Sequence, residues 1–197
     1  MIYDRDKHHR QSIRLRTYDY SQAGAYFLTL CAWNRECLFG DIIDGNICLN
    51  EQGRTVMEEW SRSTAIRREI ELDEFIVMPN HIHGIILIHH VGADGVRPEF
   101  NARHIAGANG RSPLQIRNEP IVCMKPKSLS SFMAGFKSVV TKRINEQRLS
   151  PGSPVWQRNY YEHIIRNPEE MQRIREYIQN NPMKWEMDEN NPDRIES

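Results

Sequence analysis

Apolar residues recur along the chain with two different periods, and these periods predict its strands and helices. The segments 25–33, 70–78 and 82–88 are rich in aliphatic and aromatic residues and too short for helices, so each is predicted to be a buried strand. A further short strand is predicted over 155–158, where valine and tryptophan are adjacent. The sequence Asp-Gly-Asn at 44–46 predicts a turn after the first strand.

Three segments have the apolar spacing of amphipathic helices. The first is predicted to be capped by Asn50 and to run to about Arg67, and the second to begin at Ser128. The third begins with Asn-Pro-Glu-Glu at 167–170, where asparagine caps the helix, proline occupies its first position and the second glutamate returns the capping bond. Pro182 is predicted to end this helix because it disfavours helical geometry at the preceding residue.

The predicted order of elements is β-α-β-β-α-β-α, which indicates an α+β fold. The pattern predicts a ferredoxin-like sandwich, with one antiparallel sheet, helices on one face and an additional C-terminal helix. A length of 197 residues fits one domain over 1–197. Within it, the polar residues 1–21 are expected to form an N-terminal arm, and 91–127, with four prolines and no periodicity, a loop insertion.

The charges of the chain balance overall but are segregated along it. Lysine plus arginine and aspartate plus glutamate both number 26, which argues against a simple polyanion binder. However, 97–148 contains ten bases and three acids, whereas 36–74 contains ten acids and four bases. This segregation is compatible with a basic face that binds phosphates and equally with two ordinary solvated faces. A mean hydropathy of −0.65 and an N-terminus without an apolar segment lead us to expect a cytoplasmic protein without membrane contact.

The segment PNHIHG at 79–84 contains the first candidate chemistry. Residues i and i+2 of a strand point to the same face, so His81 and His83 are expected to project together. Two adjacent imidazoles can bind one divalent metal ion. The alternative is a pair of hydrogen-bonded or exposed histidines that holds no metal.

The C-terminal helix contains the second candidate. Tyr177 and Asn181 are four residues apart and therefore share one helical face, at the flank of the apolar stripe, from which both could reach the sheet. Two histidines, an amide oxygen and water suit Mg²⁺ or Mn²⁺. The alternative is a tyrosine that packs at the edge of the core beside a C-capping asparagine.

Three segments together resemble the HUH nucleases, which are named for a His–hydrophobe–His motif. They are PNHIHG at 79–84, the helix that begins at Ser128, and WQRNYYEHIIRN at 156–167 followed by EYIQNNP at 176–182. The subgroup they resemble most is the REP-associated tyrosine transposases, single-strand DNA transposases linked to short palindromic repeats. The resemblance covers about residues 22–90 and 128–183.

The resemblance implies a role for each candidate residue. His81, His83 and Asn181 match the metal ligands, and Tyr177 matches the nucleophile that attacks a DNA phosphate, leaving a 5′-phosphotyrosine link and a free 3′-hydroxyl. The implied activity is a metal-dependent single-stranded DNA transposase that cuts and rejoins DNA near hairpins, with Mg²⁺ or Mn²⁺ as cofactor. Its subgroups act as monomers or homodimers.

Other residues with implied or competing roles lie near these motifs. Tyr160 and Tyr161 are rival nucleophiles, but they precede the helix cap and do not match the family position. Phosphate or hairpin contacts are expected from five bases, namely Arg14, Arg16, Lys137, Arg158 and Arg166.

Two other functions compete with an active transposase. The first is a non-catalytic DNA hairpin-binding protein derived from such an enzyme, which would not need all four site residues. The second is a different metalloenzyme built on the two histidines, such as a hydrolase, in which Tyr177 would be unused.

Overall fold

The computed structural model describes residues 22–89 and 127–194. The predicted arm at 1–21 lies outside these residues, as does the predicted insertion at 91–127 except for Lys127. Among the described helices, none is long and apolar enough to cross a membrane. The elements in chain order are β1 (Gly24–Cys31), a 3₁₀ turn (Trp33–Arg35), β2 (Gly40–Ile43), β3 (Asn46–Leu49), α1 (Glu51–Ile66), β4 (Ile70–Val77), β5 (His81–Ile88), α2 (Leu129–Gln147), β6 (Tyr161–Ile165), α3 (Pro168–Gln179) and a second 3₁₀ helix (Pro182–Met187).

Four strands form one sheet in the order β4-β5-β1-β6, and every neighbouring pair is antiparallel. The helices α1 and α2 pack together on one face, where Trp60 of α1 and Phe136 of α2 contact each other above the buried side chains of β1 and β5. The prediction of a ferredoxin-like α+β sandwich is confirmed. The strands β2 and β3 form a separate hairpin before α1.

The third helix covers part of the other face of the sheet. Met171 and Ile178 of α3 are buried in a second apolar cluster with residues of β1, β5 and β6. Since side chains alternate along a strand, Ile82 and Ile86 of β5 belong to the α1–α2 core, whereas Ile85 belongs to the α3 cluster. This alternation also puts His81 and His83 on the α3 side.

Two predictions about strands are wrong or incomplete. The segment 155–158 is not a strand and makes one isolated bridge, between Trp156 and Ala32. Val155 and Trp156 pack into the α1–α2 core, which accounts for their apolar character. The edge strand next to β1 is β6. The turn at 44–46 is confirmed, but it joins the short β2–β3 hairpin, which the apolar pattern did not predict.

The helix caps agree with the sequence except at α3. The Asn50 side chain accepts from Gly53 N at 2.9 Å, and Ser128 forms a capping box with Ser131. Asn167 accepts from Glu170 N at 2.8 Å as predicted. However, the Glu170 carboxylate does not return a bond to Asn167, because it accepts from Arg166 N at 2.7 Å.

The end of α3 also differs from the prediction. Asn181 keeps helical dihedral angles, φ −61° and ψ −42°, although Pro182 follows it. The chain then continues as the 3₁₀ helix Pro182–Met187. As a result, Asn181 stays close to the helical face of Tyr177, and the residues after Met187 return toward the sheet.

Candidate metal centre and nucleophile

Two buried histidines of the central strand β5 form the base of the site. His81 pairs with Cys31 and His83 with Thr29 of β1, so both imidazoles lie at one end of the α3 face. Their Nε2 atoms are 3.0 Å apart. Two ligands about 2.1 Å from a common octahedral ion, at right angles to each other, are also about 3.0 Å apart. The separation of the two nitrogens therefore fits a shared divalent cation.

Helix α3 brings Tyr177 to this pair. The Tyr177 hydroxyl is 3.3 Å from His83 Nε2, and its ring packs edge-on against Phe27 with the centroids 6.0 Å apart. The residue is 44% exposed. The structure thus places a phenol beside a histidine pair, as the family resemblance implied.

Asn181 lies one helical turn after Tyr177, and its side chain reaches the Tyr177 hydroxyl. The residue is 2% exposed, and its Oδ1 has no hydrogen-bond partner among the described residues. A buried polar atom without a partner costs free energy and calls for an explanation such as an ion. This orphaned amide oxygen belongs to a side chain that lies beside the Tyr177 hydroxyl, so it is available as the ligand that the sequence predicted.

A fourth group that sequence reasoning missed is Asp188. Ligand atoms of His81, His83 and Asp188 lie within 4.8 Å of one another. The segment that carries Asp188 is held by residues that flank β1 and β5, since Arg35 donates to Glu189 O at 2.9 Å and Asn80 donates to Asn190 O at 2.6 Å. Carboxylate, amide and imidazole donors together suit Mg²⁺ or Mn²⁺. No spacing in the sequence signals Asp188, because its position depends on the 3₁₀ turn after Asn181.

Burial keeps both imidazoles neutral at pH 7. Loss of solvation lowers the pKa of His81 to about 4, an effect that nearby Asp188 opposes and Arg35 reinforces. Burial and the neighbouring His81 hold the pKa of His83 well below its usual value. Burial also raises the pKa of Tyr177, as does Asp188, whereas the Asn181 side chain lowers it. Neutral imidazoles have a lone pair for a metal, and the phenol retains its proton until it reacts.

These shifts predict how the metal-free protein responds to acid. Between about pH 6.5 and pH 4 the unfolded chain binds a proton at His81 that the folded chain does not, so stability falls as the pH is lowered. We expect a loss on the order of 2–3 kcal/mol from this residue. Urea unfolding in EDTA from pH 7 to pH 4.5 measures it. The variant His81→Gln should show a smaller pH slope, and an unchanged slope would exclude His81 as the source.

The predicted rival tyrosines occupy other positions. Tyr160 packs against the α1–α2 core, on the side away from the histidines. Tyr161 lies on the α3 side and packs edge-on against Phe27 with the centroids 6.2 Å apart. Within the described part of the chain, Tyr161 makes no hydrogen bond to either histidine. The geometry therefore favours Tyr177.

The bases predicted to contact DNA do not form one cluster among the described residues. Lys137 and Arg158 line an open cleft of about 510 Å³ between α2 and 152–158, where Lys142 is a third base and no lining residue is acidic. The Lys137 ammonium already makes two hydrogen bonds within the protein, since its Nζ donates to Gln157 O at 2.6 Å and to Arg158 O at 3.1 Å. Arg166 is exposed at the end of β6. Arg14 and Arg16 lie outside the described residues.

Comparisons with known proteins place the chain in a family. No protein-family model matches it. A Haemophilus influenzae protein, itself uncharacterized, is 40% identical over 188 residues, which covers 95% of this chain and 96% of that protein. The chain belongs to the same family as this protein. The two chains match over nearly their whole lengths.

Solved structures relate this family to a known fold. The structure of the REP-associated tyrosine transposase bound to a REP hairpin aligns with a TM-score of 0.53 at 20% identity, covering 88% of this chain and 74% of that chain. A Deinococcus radiodurans protein assigned as a transposase aligns at 16% identity with a TM-score of 0.42, over 86% of this chain and 97% of that chain. The first of these two alignments shows that the chain has a REP-associated tyrosine transposase-like fold.

Proposed function

We propose that the protein is a metal-dependent single-stranded DNA transposase that cleaves and rejoins DNA near hairpins through a 5′-phosphotyrosine intermediate. One observation carries the proposal: the Tyr177 hydroxyl lies 3.3 Å from His83 Nε2, which is itself 3.0 Å from His81 Nε2. A phenol next to a set of metal ligands can attack a phosphate that binds there.

The proposed cleavage step is a phosphoryl transfer to Tyr177. The phenol oxygen forms a bond to phosphorus and gives up its proton, while the bond from phosphorus to the 3′ oxygen breaks and that oxygen takes up a proton. A divalent ion, when bound, polarises the phosphate and stabilises its developing charge. Attack by a 3′-hydroxyl on the phosphotyrosine reverses the step, and no ATP is needed because the number of phosphoester bonds is conserved.

Four residues are proposed to hold the metal ion. His81 and His83 supply nitrogen ligands, Asn181 supplies its amide oxygen, and Asp188 supplies a carboxylate from the C-terminal segment. Phe27 contacts the rings of both His83 and Tyr177 and holds the phenol against the histidine pair.

The proposed partner is hairpin-bearing single-stranded DNA. The solved REP-associated tyrosine transposase is bound to a REP hairpin, and its fold is shared here. Arg158 and Lys142 on the α2 side, together with Arg166, are proposed to contact phosphates, and Lys137 supports them by fixing the carbonyls at 157 and 158. Arg14 and Arg16 are proposed to contact the hairpin from the N-terminal arm.

Incubation with DNA tests the proposal directly. The substrates are single-stranded oligonucleotides that contain the hairpins flanking the gene, with Mn²⁺ or Mg²⁺, separated on a denaturing gel. We expect a covalent protein–DNA band and a shorter strand with a 3′-hydroxyl, both absent in EDTA. A linear strand of the same composition serves as the control and should react much less.

The non-catalytic alternative is a second outcome of this experiment. The basic cleft beside α2 favours DNA binding on the side of the sheet opposite Tyr177, and such binding does not require chemistry. A retarded native complex with no covalent product, with both metals and all flanking hairpins, would replace the proposed enzyme with a hairpin-binding protein.

A further inference from the structure

Asn80, the residue before the first histidine, has every polar atom of its side chain committed. It is fully buried, and its Nδ2 donates to Arg35 O at 2.9 Å and to Asn190 O at 2.6 Å. Its Oδ1 is 2.9 Å from His81 Nδ1. Since both amide hydrogens point to carbonyls, Oδ1 must accept, and the hydrogen of that bond must be on His81 Nδ1. His81 therefore has a bare Nε2 even without a metal.

The second histidine is held differently. His83 Nδ1 is 2.8 Å from the Thr29 hydroxyl, and its Nε2 is 3.0 Å from His81 Nε2. Because His81 Nε2 has no hydrogen, we assign the hydrogen of this contact to His83 Nε2 in the metal-free protein. The Tyr177 hydroxyl, 3.3 Å from the same atom, then does not donate to it. His83 Nδ1 is then bare and accepts from Thr29, whose hydroxyl can act as donor or acceptor.

We infer that Asn80 and Thr29 are positioning residues of the metal site with opposite tasks. Asn80 locks His81 in the tautomer that binds metal, whereas Thr29 allows His83 to change tautomer when a divalent cation binds. In that change His83 loses a proton from Nε2 to solvent and gains one from solvent at Nδ1, so its net protonation is unchanged. The Thr29 hydroxyl turns from donor to acceptor of the same bond.

The same Asn80 side chain links His81 to the segment that carries Asp188. Asn190 accepts from Asn80 through its carbonyl, and its own N–H donates to Asp188 Oδ1 at 2.6 Å. One asparagine thus orients a histidine ligand and holds the turn that presents a carboxylate. Removing such a hydrogen-bond partner of a metal ligand typically lowers the metal affinity about 10- to 100-fold.

The inference rests on the proposed function only for the existence of the metal site, and its test uses no DNA. Nitrogen-15 spectra of the histidine rings in the full chain report the tautomers directly. We expect His81 to have its hydrogen on Nδ1 with and without Mg²⁺. We expect the His83 hydrogen to move from Nε2 to Nδ1 as Mg²⁺ is added. A metal-free His83 already protonated at Nδ1, or a His81 protonated at Nε2, would overturn the assignment.

Variants at Thr29 provide the second readout. Thr29→Val keeps the shape of the side chain but cannot accept the Nδ1 hydrogen, so Mn²⁺ affinity measured by electron paramagnetic resonance should fall roughly 10- to 100-fold. Thr29→Ser keeps the hydroxyl and should stay within about threefold of the original protein, since the bond it makes is retained. Equal Mn²⁺ affinity in Thr29→Val, or no Mn²⁺ binding at all, would refute the inference.

Failure of this inference and failure of the proposed function are distinguishable. A protein that forms the covalent DNA product but shows no tautomer change refutes the roles of Asn80 and Thr29 alone. If the protein shows the expected tautomers and Mn²⁺ affinities but forms no covalent product, the roles of Asn80 and Thr29 stand and the proposed transposase activity is refuted.

Discussion

Replacing Tyr177 with phenylalanine is expected to abolish the covalent DNA product and to lower strand cleavage at least about a thousandfold, as removal of a nucleophile generally does. The substitution deletes one oxygen and leaves the aromatic ring against Phe27 and His83. Folding and Mn²⁺ binding should therefore be retained, so the loss can be assigned to the hydroxyl. Denaturing gels and single-turnover cleavage of a hairpin substrate measure the effect.

Tyr161→Phe is the matched control. Tyr161 is 41% exposed, close to the 44% of Tyr177, and it packs edge-on against the same Phe27. Its hydroxyl makes no bond to the histidines within the described part of the chain, so the variant should form the covalent product at the original rate. Loss of the product in Tyr161→Phe together with its retention in Tyr177→Phe would reverse the assignment of the nucleophile.

The fold could be predicted where the sequence contains strong local signals. The caps Asn50 and Ser128 and the apolar stripes of α1 and α2 are local features, and the helices begin where they indicate. The β2–β3 hairpin was missed because its strands have four residues each and bury few side chains. The strand predicted at 155–158 was wrong because Val155 and Trp156 are apolar through core packing and not through strand pairing.

Local sequence patterns likewise predict some features of the candidate site and not others. Strand alternation brings His81 and His83 to one face, and helical spacing puts Tyr177 and Asn181 on one side of α3. Local spacing does not determine that α3 packs across the histidine end of the sheet. Only the family resemblance implied this tertiary contact. Asp188 was not predictable, since Asn181 stays helical before a proline and the chain then turns back through a 3₁₀ helix.

The glycine that follows the histidine motif is expected to be essential for stability. A Cβ on Gly84 would lie 2.6 Å from Trp60 Cζ2 and 3.1 Å from Phe75 Cδ2, too close for unshifted neighbours. These two rings are stacked with their centroids 4.4 Å apart, and Trp60 is 2% exposed. The rings must shift to admit the added methyl group, so Gly84→Ala should lower the free energy of unfolding by about 1–3 kcal/mol, as overpacking of a core typically does.

Gly135→Ala separates this clash from the general effect of replacing glycine. Gly135 lies inside α2, and a Cβ there would meet no atom within 4 Å. Alanine should therefore raise the free energy of unfolding by about 0.5–1 kcal/mol, because it reduces the conformational entropy of the unfolded chain and favours the helix. Urea unfolding of both variants measures the two effects with opposite signs. Equal stabilities for Gly84→Ala and the original protein would show that Trp60 and Phe75 can separate at little cost, and that the small residue beside His83 is not required by packing.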